Sequence, residues 1–526
     1  MTPASVNGTV FAQAVAYARH RPGTVLAWLL GLHVAVWTLL PIPWSPNLQL
    51  DLLEGLALGR EWQLGYWKHP PLPWWITDLV YRVTGLIHSV YVLGPLSAAL
   101  CLYGVWLLGR DTVGGFKALI AVIALEGIHY YNFSVVKFAH NQMQLPFWAF
   151  AGWFFWRAIG RGRMPDWALA GACLAGAFWS KYAVFALAVT LGLVLLLDPV
   201  ARRAWRTPGP YVMAAAFAIL VAPNVWWLVT HDFLPLTYVD DRAIAATRWY
   251  HYLVFPLRWI GGQVAALAPA MALLAFLYLP RRRTAAADAD TAGAFDRRYL
   301  LALAIGPFLV TTVIAAATGR QPVAMWGYPM WSFAPLAVLV LLPPALDATR
   351  LRRFAAAALA MLIAVPVVFA AIEVGESLWQ DRVKAAQFPG RLLAETITRR
   401  WRERTGTPLA YVGGAKVYAV RDGIRRELPG PGEFAANNVA VYSPDRPHVI
   451  VKGDVGFSPW IDAGDLDRRG AVLIWQPADE AFPENLKQAF PHAELQPPLT
   501  LPRQRSFARA PRSPIVVHYA LVPPRP

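Results

Sequence analysis

Eleven apolar stretches, each long or nearly long enough to cross a hydrocarbon core of roughly 30 Å, limit what this chain can fold into. They run near residues 24–41, 88–108, 118–136, 143–158, 166–180, 183–197, 210–229, 253–279, 299–317, 325–343 and 354–372. The chain is 56% hydrophobic and 15% charged, an apolar excess too large for a water-soluble domain. The pattern predicts an α-helical polytopic membrane protein of about eleven transmembrane helices. The run after Arg19 and Arg21 continues into Pro41 and Trp44 with no small-residue cleavage site, so it reads as an uncleaved first helix.

A formal charge of +16 would point to nucleic acid in a soluble protein. Here the cations form short clusters on alternate connections: Arg19 and Arg21; Arg110 and Lys117; Arg157, Arg161 and Arg163; Arg202, Arg203 and Arg206; Arg281 to Arg283 with Arg297 and Arg298; Arg350, Arg352 and Arg353. That arrangement encodes topology and places these connections in the cytoplasm. The opposite connections, around 42–87, 137–142, 181, 230–252 and 318–324, carry fewer cations and more Trp, Tyr, His and Pro. They face outward. Cys101 and Cys173 both fall in apolar stretches, which supplies neither a disulfide framework nor a thiolate metal site.

With the N-terminus inside and an odd number of spans, everything after about residue 375 lies outside. The expected division is a transmembrane domain over 1–374, with a first periplasmic loop at 42–87, and a periplasmic α/β domain over 375–526. In the tail, a polar amphipathic segment near 380–403 precedes short β-rich runs at 409–414, 416–420, 437–443, 448–453, 471–475 and 515–522, separated by turn residues.

Polar groups that hydrocarbon would penalise gather at the outward connections. In the first loop Asp51 and Glu54 are three apart, so on a helix they share a face. Near an interface, partial desolvation would make such a carboxylate a better base; a solvated helix start with acids favouring the dipole is an equally good reading. Lys68 and His69 precede Pro70 and Pro71, whose fixed backbone holds them in place. They suit a lipid phosphate, while a snorkelling Lys68 is the plainer alternative. Lys137, His140, Asn141 and Gln142 crowd the end of one span, and Lys181 sits between two apolar runs beside Tyr182. The flanks favour a counter-ion role for Lys181 over a surface anchor. Arg320 marks a further outward turn. Glu126 with His129, and Asp240-Asp241-Arg242, carry less weight. Neither HExxH nor paired His spacing occurs, although Asp51, Glu54 and His69 would suffice for one divalent ion.

The order of these elements resembles bacterial glycosyltransferases of the dolichyl-phosphate-mannose protein mannosyltransferase type, including lipid A aminoarabinose transferases and related galacturonosyltransferases. Asp51, Glu54 and HPPL at 69–72 are similar to the family's acidic loop and (K/H)PPL element. Ser180-Lys181-Tyr182 resembles its SKY element, and APNVWWLVTHDF at 222–233 and GGQ at 261–263 follow in order. The resemblance spans about residues 25–345. It departs where Leu50 precedes Asp51, since many relatives have two adjacent acids there, and at Asn141 and Gln142, where many have an aspartate.

The resemblance implies a GT-C fold in the bacterial cytoplasmic membrane and transfer of a sugar from a polyprenyl phosphate, with inversion, to an extracytoplasmic acceptor such as lipid A, another envelope glycan, a lipid or a protein. It implies Asp51 as base with Glu54 in support. Lys68, His69, Lys181 and Arg320 would hold the donor phosphate, and Lys137, His140, Asn141, Gln142 and Tyr182 would line the donor site. The expected partners are the polyprenyl-phosphate-linked sugar, membrane lipid and the envelope acceptor, with the protein a monomer. A transporter or flippase of a lipid-linked intermediate is the alternative from a different class. It predicts half-repeats and polar groups at mid-membrane depth, and the sequence has no internal repeat.

Overall fold

A computed structural model describes the backbone of residues 3–279, 292–379, 384–416, 418–421, 424–427, 431–476, 481–503 and 513–525. The helices are α1 (Pro3–His20), α2 (Pro22–Leu39), α3 (Leu50–Gly59), α4 (Leu72–Thr84), α5 (Leu93–Val113), α6 (Gly115–Leu125), α7 (His140–Arg161), α8 (Met164–Ser180), α9 (Phe185–Leu197), α10 (Gly209–Thr230), α11 (Pro235–Arg242), α12 (His251–Ala275), α13 (Ala294–Thr318), α14 (Ala334–Leu341), α15 (Ala348–Trp379), α16 (Gly390–Thr405), α17 (Pro431–Tyr442), α18 (Ala463–Arg469) and α19 (Glu484–Ala489). The strands are β1 (Ile244–Ala245), β2 (Arg320–Gln321), β3 (Tyr411–Gly413), β4 (Tyr418–Arg421), β5 (Ile424–Glu427), β6 (His448–Ile450), β7 (Ala471–Trp475), β8 (Glu494–Leu495), β9 (Leu499–Leu501) and β10 (Ile515–Val522).

The chain divides into two compact units. The first gathers residues 1–39, 91–223 and 243–369; the second gathers 40–90, 224–242 and 370–526.

The first unit is helical and apolar. Among the described residues six helices are long and apolar enough to cross a membrane, including α2, α5, α10, α12, α13 and α15, with shorter apolar helices at 115–125 and 182–197. This is a multi-pass membrane protein. Every one of the apolar stretches read from the sequence is helical in whole or part. Two are cut short. The 118–136 stretch is α6 followed by turns and a short 3-10 segment at Phe133–Val136, and 325–343 keeps only α14 as regular helix. α5 is mostly enclosed by its neighbours, whereas α10 and α15 leave most of their apolar side chains at the surface, where lipid replaces protein.

Several of its buried polar groups are paired, as burial favours. His33 Nδ1 of α2 meets Glu126 Oε1 at 2.9 Å, both side chains almost fully enclosed. The sequence had suggested His129 as that partner. His129 is exposed instead, because the helix ends at Leu125 and Glu126 lies in the turn that follows. Gln263 is wholly buried and used at both ends, donating to Ala324 O at 2.9 Å and accepting from Trp331 Nε1 at 3.0 Å.

The second unit joins the first loop to the C-terminal sheet region. Close backbone packing requires glycine in the α3–α4 pair: a Cβ at Gly59 would lie 2.2 Å from the Trp74 carbonyl oxygen. α4 starts after Pro70 and Pro71 with Pro73 in its first turn, a position that tolerates the missing N–H. It stops at Gly85, whose φ of +66° places it in the left-handed region. The main sheet runs β6-β3-β7-β10-β8, with β9 also on β10. β3 lies between β6 and β7 and is parallel to both, while β10 is antiparallel to β7. All five side chains of β7 are buried, as a central strand covered on both faces requires.

α16 buries Leu393, Ala394, Ile397 and Trp401 at helical spacing and packs against α17. The 437–443 run, expected as a strand, is helical within α17. Phe434, Ala435, Ala436, Val439 and Ala440 are all buried, and the apolar face they form meets α16, α3 and β7. Tertiary packing thus overrides the local β preference of the valines.

Candidate functional site

Asp51 lies in the first turn of α3 and is half-buried; Glu54, one turn on, is buried. The Glu54 carboxylate forms an ion pair with the buried Lys68 ammonium. Burial alone would lower the lysine's pKa. The charges of Glu54, Tyr238 and Glu433 outweigh that effect and hold it above the ordinary lysine range.

Aromatic rings enclose this pair. The Lys68 ammonium lies 5.5 Å from the Trp67 ring centre and 5.8 Å from that of Trp74. Trp67 meets Tyr238 edge-on at 5.5 Å, and His69 meets the same tyrosine at 4.9 Å. The loop is fixed from behind. Tyr66 OH donates to Leu58 O at 2.9 Å and Asn224 Nδ2 donates to Leu64 O at 2.5 Å, while a Cβ at Gly65 would fall 2.1 Å from the Trp227 ring. The arrangement is a carboxylate near the surface, a buried charge pair behind it and an aromatic wall.

The C-terminal segments contribute residues that the sequence did not mark. Lys452 is 2% exposed, and its ammonium lies 4.3 Å from the Trp67 ring centre and 4.6 Å from that of Phe457. Glu433 opens α17 and acts on Lys68. Also within this unit, His448 Nδ1 lies 2.9 Å from Glu61 Oε1.

The remaining expected residues belong to the first unit. Lys181 ends α8, where the helix stops after Ser180. It is buried, its ammonium donates to Asn141 Oδ1 at 2.5 Å, and the Trp326 ring centre is 5.8 Å away. His140 and Gln142 are buried in the first turn of α7. Gln142 is structural in part: its Oε1 accepts from Ala139 N and its Nε2 donates to Ser134 O, each at 3.0 Å. Tyr182 is half-buried with its ring 5.0 Å from Phe178, and Lys137 is exposed. Arg320 lies in β2, paired with β1. Thus Asn141 and Lys181 come together, as do Glu54, Lys68 and His69 with Tyr238. The side chains of Asp240, Asp241 and Arg242 lie outside the described residues.

Among the described residues no three His, Cys, Asp or Glu side chains gather as a metal site. Asp51, Glu54 and His69 therefore do not form one, and Glu54 is engaged by Lys68.

Residues 68–227 match the family model described as dolichyl-phosphate-mannose-protein mannosyltransferase. A lipid A galacturonosyltransferase, RgtD of Rhizobium johnstonii, is 31% identical over 193 residues, which is 35% of this chain and 39% of that protein. The chain thus spans about two fifths of the length of the curated relative it matches. The crystal structure of ArnT from Cupriavidus metallidurans bound to undecaprenyl phosphate superposes with a TM-score of 0.57 at 13% identity, covering 94% of this chain and 98% of that one. Its apo form gives 0.56, covering 95% and 98%. The chain therefore has the GT-C fold expected from its motifs, and its segment from the first loop into α10 is similar to the mannosyltransferase family.

Proposed function

We propose that this chain is a glycosyltransferase that moves a sugar from a polyprenyl phosphate to an acceptor hydroxyl outside the cytoplasmic membrane, with inversion at the anomeric carbon. The observation that carries this reading is the buried Glu54–Lys68 pair behind the half-buried Asp51, set in an aromatic wall.

In this reading the acceptor oxygen attacks the anomeric carbon while Asp51 takes its proton. The bond from that carbon to the phosphate oxygen breaks, and its electron pair leaves with the phosphate. One displacement gives one inversion. Lys68 meets the growing negative charge, and His69 stands beside it to donate a hydrogen bond. Glu54 fixes the ammonium in advance, so little reorganisation is needed at the moment of transfer. Lys181, with Asn141, supplies a cation in the membrane unit suited to an anionic lipid headgroup; His140, Gln142, Lys137, Tyr182 and Arg320 are assigned supporting places in donor binding.

The match to a lipid A galacturonosyltransferase and the undecaprenyl phosphate held by ArnT support a polyprenyl-phosphate donor and an envelope lipid or glycan acceptor. The proposed topology has the N-terminus in the cytoplasm and, after a transmembrane domain over 1–374, a periplasmic α/β domain over 375–526, in a monomer.

The deciding experiment is transfer by Asp51→Asn in native membranes. Transfer should fall by a factor of about 10³ or more, with expression and undecaprenyl phosphate binding retained. Full transfer by this variant would remove the base from the mechanism. Export of an intact lipid-linked sugar with no transfer by the unaltered protein would mark it as a transporter.

A further inference from the structure

In sheets with parallel strands, ligands collect beyond the carboxyl ends of the strands. In the second unit, β3 and β6 are adjacent and parallel. Lys416 follows β3, and Lys452, Asp454 and Phe457 follow β6.

Lys452 has a φ of +56°, unusual for a residue with a side chain. Its carbonyl accepts from Asn485 Nδ2 at 2.9 Å. Gly453 continues the left-handed corner at φ +64°, where a Cβ would fall 2.1 Å from Leu486. Backbone held in this region is strained and persists where the surroundings enforce it, often at binding sites. This corner sends the Lys452 ammonium to the Trp67 and Phe457 rings.

A second observation points to a ligand. Trp67 is fully buried, yet its indole N–H has no acceptor among the described residues. A buried donor without an acceptor is costly, so an acceptor from a ligand is favoured there. Ammonium groups from two parts of the chain flank this indole, Lys68 from the first loop and Lys452 from beyond β6. The nearby carboxylates are Glu54, paired with Lys68, Asp454, 3.9 Å from Lys416, and Glu433. An ammonium has three N–H donors, so the Glu54 pair leaves Lys68 with donors for an oxyanion.

We infer that Lys452 is a binding residue of the donor site: with Lys68 and the Trp67 N–H it holds the phosphate of the polyprenyl phosphate, so that the C-terminal sheet completes a site begun in the first loop. The inference rests on the donor reading above. Aromatic rings and two ammonium groups suit a phosphate ester whose remaining substituents are apolar or carbohydrate.

The test is undecaprenyl phosphate binding to the full-length protein in lipid nanodiscs, with Lys452→Met, Lys452→Arg, Trp67→Phe and Lys68→Met. Lys452→Met keeps the aliphatic stem against the rings and should weaken binding by about 10- to 100-fold, Trp67→Phe by about 5-fold, and Lys452→Arg should recover most of the loss. In the complex, phosphorus NMR should show the second ionisation of the bound phosphate shifted upward in Lys452→Met by about half a unit or more, a change that altered packing alone would not produce. If Lys452→Met proves unfolded by thermal melting, the Lys452→Arg and Trp67→Phe phosphate titrations carry the test. Wild-type binding and an unchanged titration in Lys452→Met, with binding lost in Lys68→Met, would overturn the inference and leave the donor reading standing. Failure of the unaltered protein to bind undecaprenyl phosphate would overturn both.

Discussion

Lys68 in the first loop and Lys181 at the end of α8 are both buried ammonium groups, 8% and 7% exposed, and their surroundings differ. Lys68 meets a carboxylate, Glu54, and two indoles. Lys181 meets a neutral amide, Asn141, and one indole. A carboxylate partner fixes the ammonium in place and offsets part of its charge, leaving its other N–H groups for substrate. An amide dipole orients the ammonium without offsetting its charge. The loop lysine is thus held by a charge, and the membrane-unit lysine is positioned by an amide.

The largest effect that can break this comparison comes from Lys68→Met. It strands the Glu54 carboxylate in an enclosed site, which should cost about 3–5 kcal/mol of stability along with a loss of transfer of about 10²-fold or more. The Glu54→Gln/Lys68→Met double variant removes the stranded charge. It should regain most of the thermal midpoint without regaining transfer. A double variant as unstable as the single one would show that the charge pair is not what the loop depends on.

Lys181→Met sharpens the contrast at smaller scale. The amide it leaves behind is neutral and only half-buried, so the expected stability cost is about 1–2 kcal/mol, less than for Lys68→Met. Binding of undecaprenyl phosphate should weaken by about 10-fold. A stability loss equal to that of Lys68→Met would place an unrecognised carboxylate at Lys181 and erase the difference between the two sites.

What the sequence revealed follows the same divide. Apolar length is a local property, so each apolar stretch could be found as a helix without knowing its neighbours. So could β3, β7 and β10, whose β-branched runs coincide with strands. The first-loop acids and Lys68-His69 were visible because polar residues beside hydrocarbon stand out. Lys452 and Glu433 were not, since a lysine after a short strand and a glutamate at a helix start are common on any surface. Only the pairing of β6 with β3 and the docking of α17 on α3 bring Lys452 to Trp67 and Glu433 to Lys68. The helical state of 437–443 was hidden for the same reason: its valines prefer strands locally, and the partners that bury its helical face lie far away in sequence. Glu126 and His33 are likewise a pair that no spacing rule could supply.

A third pair extends the comparison to the sheet and carries the smallest expected effect. Tyr411 OH donates to Asp465 Oδ2 at 2.6 Å. Burial pushes the Tyr411 hydroxyl up to about 12, with its bond to Asp465 adding to the rise. The same bond, ahead of Arg469 and Arg468, draws the Asp465 carboxyl below its ordinary value. For the tyrosine the raised value means that the stabilisation is complete below its unfolded pKa near 10 and is lost as pH climbs toward 12. For the aspartate the lowered value means that stabilisation is present above the ordinary carboxylate range and is lost as pH falls through it. Tyr411→Phe should lower the thermal midpoint of the C-terminal region at neutral pH by about 2–4 °C. It should also flatten both the decline between pH 10 and 12 and the part of the acid decline due to Asp465, as followed by thermal melts across pH. The contacts of this pair among the described residues do not include Glu54 or Lys68, so Tyr411→Phe should leave sugar transfer near its original rate. A large loss of transfer in Tyr411→Phe would mean that the contact of β3 with α18 is coupled to the donor site, and that the charge pairs of this unit do not act independently.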